Sequence, residues 1–546
     1  MRTFKGYRWR YLFLERRPPE GFVKQYGLLL AQLLVNRGLE KPPSEEKLLL
    51  SASSLPHLEE ATAKILKAVE EGKNIFLFGD YDVDGLTSTT LMYKVLKKLG
   101  AKRVFPIVPE RSEGYGILPP VVEKLKKFSP EGGLIVVLDN GTKEVETVKL
   151  ALRLGFDVVI FDHHTPGEVL PPTPLVNPKI SPTSEGYLKD LSTVGLVYLF
   201  AKYLEKLGYI EGADSFLDLV ALGTIADVSP LSPLNAKLVR RGLKALSMGE
   251  TSSVGLRHLL SRLNLSQIGE HDVAFKLAPR LNAFGRMEKA RRGLKFLITE
   301  DESLAVKLLE EMEELNTRRK SLTERATREV LEYYEKNPSK ALVYVSPKLR
   351  KGIVGIIAGR VTSALGIPSV IMATDGQVAV GSSRSPQGLN IVKVLERLSP
   401  LMERWGGHAQ AAGLSVRCDR LEEFKSAFES EVENYEIETP TLDIDYYLQP
   451  SNLRKREKLI EDLKRLEPYG AGNPPPTFVF EDILTDFRET RYGYALHFER
   501  NGKIYLNTDG NGEYIPPTYR GRKLRVVYSV RQTKGLKLQV EDFIVL

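Results

Sequence analysis

The sequence predicts an α/β protein: a parallel-sheet domain joined by a long helix to a second α/β domain, followed by a β-rich tail. Three observations predict it. From Asn74 onward the short apolar runs NIFLF, LIVVLDNG and FDVVIFDHH alternate with the amphipathic segments LTSTTLMYKVLKKLG and VETVKLALRLG. That alternation belongs to a sheet covered by helices on both faces, because its strands have no polar side to show. The charged segment 302–336 carries Leu304, Leu308, Met312 and Leu315 at helical spacing, which predicts one long helix bridging two domains. Beyond Pro440 the runs shorten to YALHFER, KIYLN and KLRVVYSV between Gly and Pro turns, the pattern of a small β-barrel.

Taken in order, residues 1–45 read as a small helical preface, YGLLLAQLLVNRGL running into the polar stretch EKPPSEEK. Gly100 and Gly155 stand where the first two helices of the α/β region should stop. The second α/β region has strand candidates ALVYV and SVIMA around the Gly-rich KGIVGIIAGR. It lacks the Lys-Ser/Thr ending of a P-loop, which argues against an NTP-driven motor. With 546 residues, a prior of about 150 residues per domain gives three to four units. A composition of 42% hydrophobic and 27% charged residues excludes bulk disorder. Net charge is +8 with a pI near 9.1, a basic excess that suits a polyanionic partner. Cys418 is the one cysteine, so neither a disulfide framework nor a multi-cysteine metal cluster is expected, and a reducing compartment is. The N-terminal residues show no apolar signal core, and no run approaches the length of a membrane span. The expectation is a cytoplasmic protein with no membrane partner.

The chemistry concentrates where strands end. GDYDVDG supplies Asp80, Asp82 and Asp84, LDNG supplies Asp139, and FDHH supplies Asp162, His163 and His164. In open α/β sheets ligands bind beyond the carboxyl ends of the strands, so these groups should converge. Crowded carboxylates repel and rise in pKa unless a cation holds them ionised. Carboxylate mixed with imidazole suits manganese first, magnesium second and zinc less. Asp227, in GTIADVSPL after an apolar helical run, is a further ligand candidate in this company. In the tail, residues 519–540 hold seven Lys/Arg and no Asp or Glu, with Tyr528 among them, a pattern for phosphate contacts with base stacking.

In order and spacing, GDYDVDG, LDNG, FDHH and GTIADV resemble the four motifs of the DHH phosphoesterase superfamily. VPERSEGYG, LAPRLNAFGRM, ELNTRRK, GSSRSPQG, GGHAQAAG and EPYGAGNPPPTF resemble the RecJ family of single-strand-specific exonucleases. The resemblance covers the chain from about residue 45 onward. It implies a DHH domain over 46–235, a helical connector over 236–338, a DHH-associated domain over 339–437 and an OB-fold over 438–546. It implies two divalent ions, Asp82 and Asp139 on one and Asp84, Asp139, His163 and Asp227 on the other, with Asp162 and His164 behind the ligands or facing substrate. Many superfamily members carry a ligand histidine four residues before the first Asp of the Asp-x-Asp pair. Phe78 stands there, so the first site is expected either to lean on Asp80 or to hold its ion weakly. Ser382 and Arg384 resemble the pocket for a terminal 5′-phosphate. His408, with Gly406 and Gly407, resembles a group facing the scissile phosphate, and Arg111 and Arg280 resemble strand-guiding positions. The implied activity is 5′ to 3′ hydrolysis of single-stranded DNA, threaded through a cleft between the catalytic domains, in repair and recombination. A monomer is expected, with a helicase and a single-strand-binding protein as partners. Very short RNAs or cyclic dinucleotides are the competing substrates, and a non-catalytic replication or repair factor is the competing class.

Overall fold

In the computed structural model of the chain, strands form where β-branched and aromatic residues run together and helices where the apolar spacing widens. The structure describes residues 3–39, 54–110, 116–182, 184, 186–287, 289–435, 438–455, 457–490, 493–507, 514–532 and 536–546. Arg111 lies outside the described residues. The chain divides into two compact units: Pro42–Arg319 with Glu467–Pro474, and Met1–Lys41 with Lys320–Leu466 and Pro475–Leu546.

In the second unit β1 (Arg8–Tyr11) is the first strand, so the N-terminal segment is not wholly helical. The other unit holds the parallel sheet of β2 (Ile75–Gly79), β3 (Val104–Ile107), β4 (Gly133–Leu138), β5 (Phe156–Phe161) and β6 (Leu175–Val176), ordered β3-β2-β4-β5-β6. Every residue of β2 and β4 is buried, as continuous apolar runs require. Register pairs Gly79 with Leu138, Leu138 with Phe161 and Phe161 with Val176. The next residue of each strand is therefore at one level, and those residues are Asp80, Asp139, Asp162 and Asn177. Helix Val83–Lys98 starts at once after β2. Its buried hydroxyls Thr87, Thr89 and Thr90 are satisfied by the carbonyls of Val83, Gly85 and Leu86, each at 2.7 Å, which is how LTSTT can be a core segment. A side chain at Gly85 would put its Cβ 2.4 Å from the Asp80 carbonyl oxygen, so only glycine lets the helix start this close to the strand.

Helix Glu302–Lys336 is a single 35-residue helix, without an internal Gly or Pro, and the division between the units falls within it at Arg319 and Lys320. Asp301 begins it by accepting the Ser303 and Leu304 amides at 2.9 and 3.1 Å. In the second unit a mixed sheet orders β10 (Arg404–His408), β11 (Ala411–Arg417), β9 (Val378–Arg384), β8 (Ser369–Thr374) and β7 (Leu342–Ser346). Its tail contains β12 (Thr441–Ile444), β13 (Tyr446–Tyr447), β14 (Thr477–Thr490), β15 (Gly493–Phe498), β16 (Gly502–Asn507), β17 (Lys523–Gln532) and β18 (Leu536–Val545). Pairings run β14–β15–β16–β18–β17, and β17 pairs again with β14. β12 pairs with β1 in parallel, Arg8 opposite Thr441. No helix among the described residues is long and apolar enough to cross a membrane.

Tyr528 corrects one expectation. It is fully buried, its ring packs against Phe478 and Phe480, and its hydroxyl donates to the Leu448 carbonyl at 2.9 Å, so it belongs to the core and offers no stacking face. The basic stripe is also partly neutralised: Glu481 pairs with Lys523 at 2.7 Å and Arg525 at 2.6 Å, and Asp486 with Arg520 at 3.0 Å.

Candidate active site

At the carboxyl ends of the parallel sheet, three groups of side chains each bring one ligand atom within 4.8 Å of the others: Asp80, Asp82 and Asp139; Asp84, His163 and Asp227; and Asp139, His163 and His164. His163 Nε2 lies 3.4 Å from Asp139 Oδ1, 3.9 Å from Asp227 Oδ1 and 4.0 Å from Asp84 Oδ2. Oxygen-rich sets with imidazole suit a divalent ion such as manganese or magnesium, and the shared Asp139 and His163 make the pockets neighbours. Phe78 is in the apolar cluster with Val137 and Ile160 on one face of the sheet, so its position offers no ligand, and Asp80 completes the first group.

Each carboxylate has a local reason for its place. Asp82 caps helix Val83–Lys98, its Oδ1 accepting the Gly85 amide at 3.1 Å. Asp84, in the first turn of that helix, is fully buried, and both its oxygens accept amides from the start of helix Thr193–Lys206: Thr193 N–H at 2.8 Å and Val194 N–H at 3.0 Å. Asp227 ends helix Leu217–Ala226 and accepts the Ser229 hydroxyl. Among the described residues four non-glycines have positive φ, and two are here: Asp139 at 64° and Val228, beside Asp227, at 62°. A β-branched residue in that region is strained, and such strain collects at functional sites.

The electrostatics are those of a site built for cations. Burial, then the charges of Asp227 and Asp82, hold Asp84 well above the usual carboxylate range. Burial, with Asp84, Asp82, Asp80 and Asp227 adding, does the same to Asp139. Asp227 is pushed up to about 6 by burial, with the Asp82 charge adding and the Ser229 hydroxyl opposing. Asp162 behaves oppositely. Burial raises it, but the His164 ring at 2.7 Å and a hydrogen bond from the Thr142 side chain outweigh burial and keep its carboxyl far below the ordinary range, and the Thr142 amide also donates to it at 3.0 Å. His164 is correspondingly raised to about 9, the Asp162 bond overcoming burial, so it is cationic at neutral pH. Asn177 locks this turn by donating to the His164 carbonyl at 2.9 Å and the Thr142 hydroxyl at 3.2 Å.

The second unit places Ser382, Arg384, Gly406 and His408 on one sheet face. Register sets Arg384 opposite Ala411 and Ala411 opposite His408, and likewise Ser382 opposite Gly413 and Gly413 opposite Gly406. Paired residues share a face, so Ser382, Arg384 and His408 point the same way across the side-chain-free Gly406 and Gly413. Gly407 follows Gly406 on the same exposed strand. Arg384 donates to Ser382 Oγ at 2.5 Å and the Ser383 carbonyl at 2.8 Å, and burial lowers its pKa. Among the described residues no carboxylate pairs with it, which suits an anionic ligand. Gly355, at the start of helix Val354–Leu365, sits so close that a Cβ there would be 3.2 Å from the guanidinium. Arg280 is committed differently: its Nε donates to Glu313 at 2.6 Å and its Nη1 to the Lys276 carbonyl at 2.8 Å.

The sequence reading missed Thr193, Asn177 and Gly355. Gly355 was signalled by KGIVGIIAGR, and Asn177 by its place directly after the last strand. Thr193 had no signal beyond Ser-Thr opening an apolar helix.

A parallel sheet whose strand ends carry an Asp-x-Asp pair, a third Asp and Asp-His-His defines a DHH-type protein, and residues 74–224 match the DHH family, N-terminal domain, while residues 337–434 match the DHHA1 domain. The chain is 32% identical to the single-stranded-DNA-specific exonuclease RecJ of Escherichia coli, over 89% of this chain and 88% of that protein. It is 32% identical to the Bacillus subtilis RecJ over 84% of this chain, a match spanning 60% of that longer relative. The crystal structure of Thermus thermophilus RecJ in complex with Mn2+ superposes with a TM-score of 0.82 at 29% identity, covering 98% of this chain and 79% of that one. The chain belongs to the RecJ family.

Proposed function

We propose that this protein is a metal-dependent exonuclease that hydrolyses single-stranded DNA from its 5′ end to 5′-mononucleotides, in repair and recombination. The observation that carries the reading is the three abutting donor groups, two of which share Asp139 and two of which share His163. Asp80, Asp82 and Asp139 would hold one ion, and Asp84, Asp139, His163 and Asp227 the other. Two bound ions supply charge neutralisation at the phosphodiester and lower the pKa of water. Around them, Asp162 keeps the His164 ring oriented, which places its imidazole beside the ligands to face substrate phosphate. Manganese or magnesium fits this donor set, and the Thermus thermophilus relative has been solved with each.

Arg384 and Ser382 are proposed to hold the terminal 5′-phosphate, since a guanidinium offers phosphate a bidentate fork. The geometry of the open glycine face supports placing His408, Gly406 and Gly407 along the strand. Arg111 is proposed to guide DNA on the resemblance alone. Arg280 would do so only by exchanging Glu313 for phosphate. The tail is proposed to be an OB-fold, on the support of five strands whose pairings return to the starting strand, and its basic residues to contact the DNA backbone. The proposed domains are 46–235, 236–338, 339–437 and 438–546, with 1–45 as a preface. The proposed setting is the cytoplasm, as a monomer, beside a helicase and a single-strand-binding protein that supply single strands.

The test is digestion of single-stranded DNA labelled at either end in separate reactions, with manganese, magnesium or no metal. Early release of a labelled mononucleotide from the 5′ end alone, and only with metal, is expected. Metal-independent release, or release first from the 3′ end, would contradict the reading.

A further inference from the structure

We infer that Thr193 is a positioning residue for the metal centre, its hydroxyl fixing Asp139 while its backbone fixes Asp84. The inference rests on the metal-dependent reading above and deepens it. Thr193 is fully buried at the first position of helix Thr193–Lys206. Its amide donates to Asp84 Oδ2 at 2.8 Å, and the next amide, of Val194, donates to Asp84 Oδ1 at 3.0 Å. These are amides that a helix leaves without internal partners, at its positive end, so they hold an anion well. Thr193 Oγ1 donates to Asp139 Oδ1 at 3.1 Å, the same oxygen that faces His163 Nε2 at 3.4 Å. One residue thus grips a carboxylate of each proposed ion pocket.

The surroundings explain why such a grip is needed. Asp139 stands at φ 64°, a backbone conformation that neither strand nor helix enforces. Its carboxylate is buried, with ligand atoms of Asp80 and Asp82 within 4.8 Å and His163 Nε2 at 3.4 Å. A hydroxyl donor limits rotation of that carboxylate. The preceding residue extends the brace: the Ser192 and Thr224 hydroxyls meet at 3.0 Å, and Thr224 lies on the helix that ends in Asp227. The Ser192-Thr193 pair therefore ties two ligand carboxylates, and the helix that ends in a third, into one frame. Groups that orient metal ligands typically change affinity or activity by about 10- to 100-fold when lost.

Two substitutions separate the hydroxyl from packing. Thr193→Val keeps the branched shape and removes the donor, whereas Thr193→Ser keeps the donor and removes a methyl. Calorimetric titration of manganese into the metal-stripped proteins should show binding weakened about 10- to 100-fold in Thr193→Val and within about threefold of the parent in Thr193→Ser. Thr193→Val should also lose kcat with little change in KM for single-stranded DNA. Its metal-free melting temperature should stay close to the parent's, while the rise on adding manganese shrinks. Parent-like manganese binding by Thr193→Val overturns the inference, as does a Thr193→Ser protein equally or more impaired. A parent protein that takes up no manganese would instead contradict the metal-dependent reading itself.

Discussion

Asp82 does two jobs with one side chain, which makes it the residue where fold and function are most easily separated. Its Oδ1 caps helix Val83–Lys98 through the Gly85 amide, while the carboxylate belongs to the donor set with Asp80 and Asp139. Asparagine caps a helix about as well as aspartate. Asp82→Asn should therefore change unfolding stability by no more than about 0.5 kcal/mol yet sharply weaken manganese binding, as urea denaturation and calorimetry on the same protein would show. Asp227 sets a pH dependence. Its folded pKa is raised to about 6, so in the metal-free protein its contribution to stability is fully present below its unfolded value of 3.8 and is lost as pH rises through 6. Asp84 and Asp139, also raised, act in the same direction. Manganese competes with these protons, so the rise in melting temperature on adding it should be larger at pH 8 than at pH 5. An equal rise at both would show that the carboxylates are not the ligands.

The elements of the parallel sheet were legible because both faces are covered: NIFLF, LIVVL and FDVVIF are strands in the structure, and 302–336 is one helix. The strand-end acids were legible for the same reason, since a buried strand that ends in Asp must put it where the sheet meets solvent. Pairings made by distant chain segments left no local trace. In β17 Val526, Val527 and Tyr528 are all buried, since Tyr528 faces Phe478 and Phe480 while Val527 is covered with the Trp9 and Tyr11 side chains of β1. With both faces covered, alternation cannot separate a core tyrosine from a base-stacking one. Thr193 was hidden similarly, because only the tertiary fold brings its helix to Asp84. Helix Leu217–Ala226 approaches that same carboxylate through Gly223, where a Cβ would lie 2.4 Å from Thr87 Oγ1 and 3.0 Å from Asp84 Oδ1. Gly223→Ala should cost about 1–3 kcal/mol by overpacking and weaken metal binding. Unchanged stability in denaturant would mean that the helix can shift freely.

At the scale of the whole molecule, the two units hold different chemistry. The unit of 42–319 with 467–474 carries every residue of the three donor groups, and the other carries Ser382, Arg384 and His408. Motif order made this division readable, whereas the grouping of 467–474 was not, because it depends on contacts such as the Leu231 amide with the Ala471 carbonyl at 2.6 Å. Hydrolysis is proposed to depend on Asp139, and binding of single-stranded DNA to be carried elsewhere. Asp139→Ala, compared with the parent in single-turnover digestion of 5′-labelled single-stranded DNA and in equilibrium binding, tests this most directly. The predicted result is loss of cleavage with affinity for the strand within about threefold, since the proposed shared ligand is removed and no phosphate-binding cation is. An Asp139→Ala protein that still digests DNA at the parent rate would contradict the account.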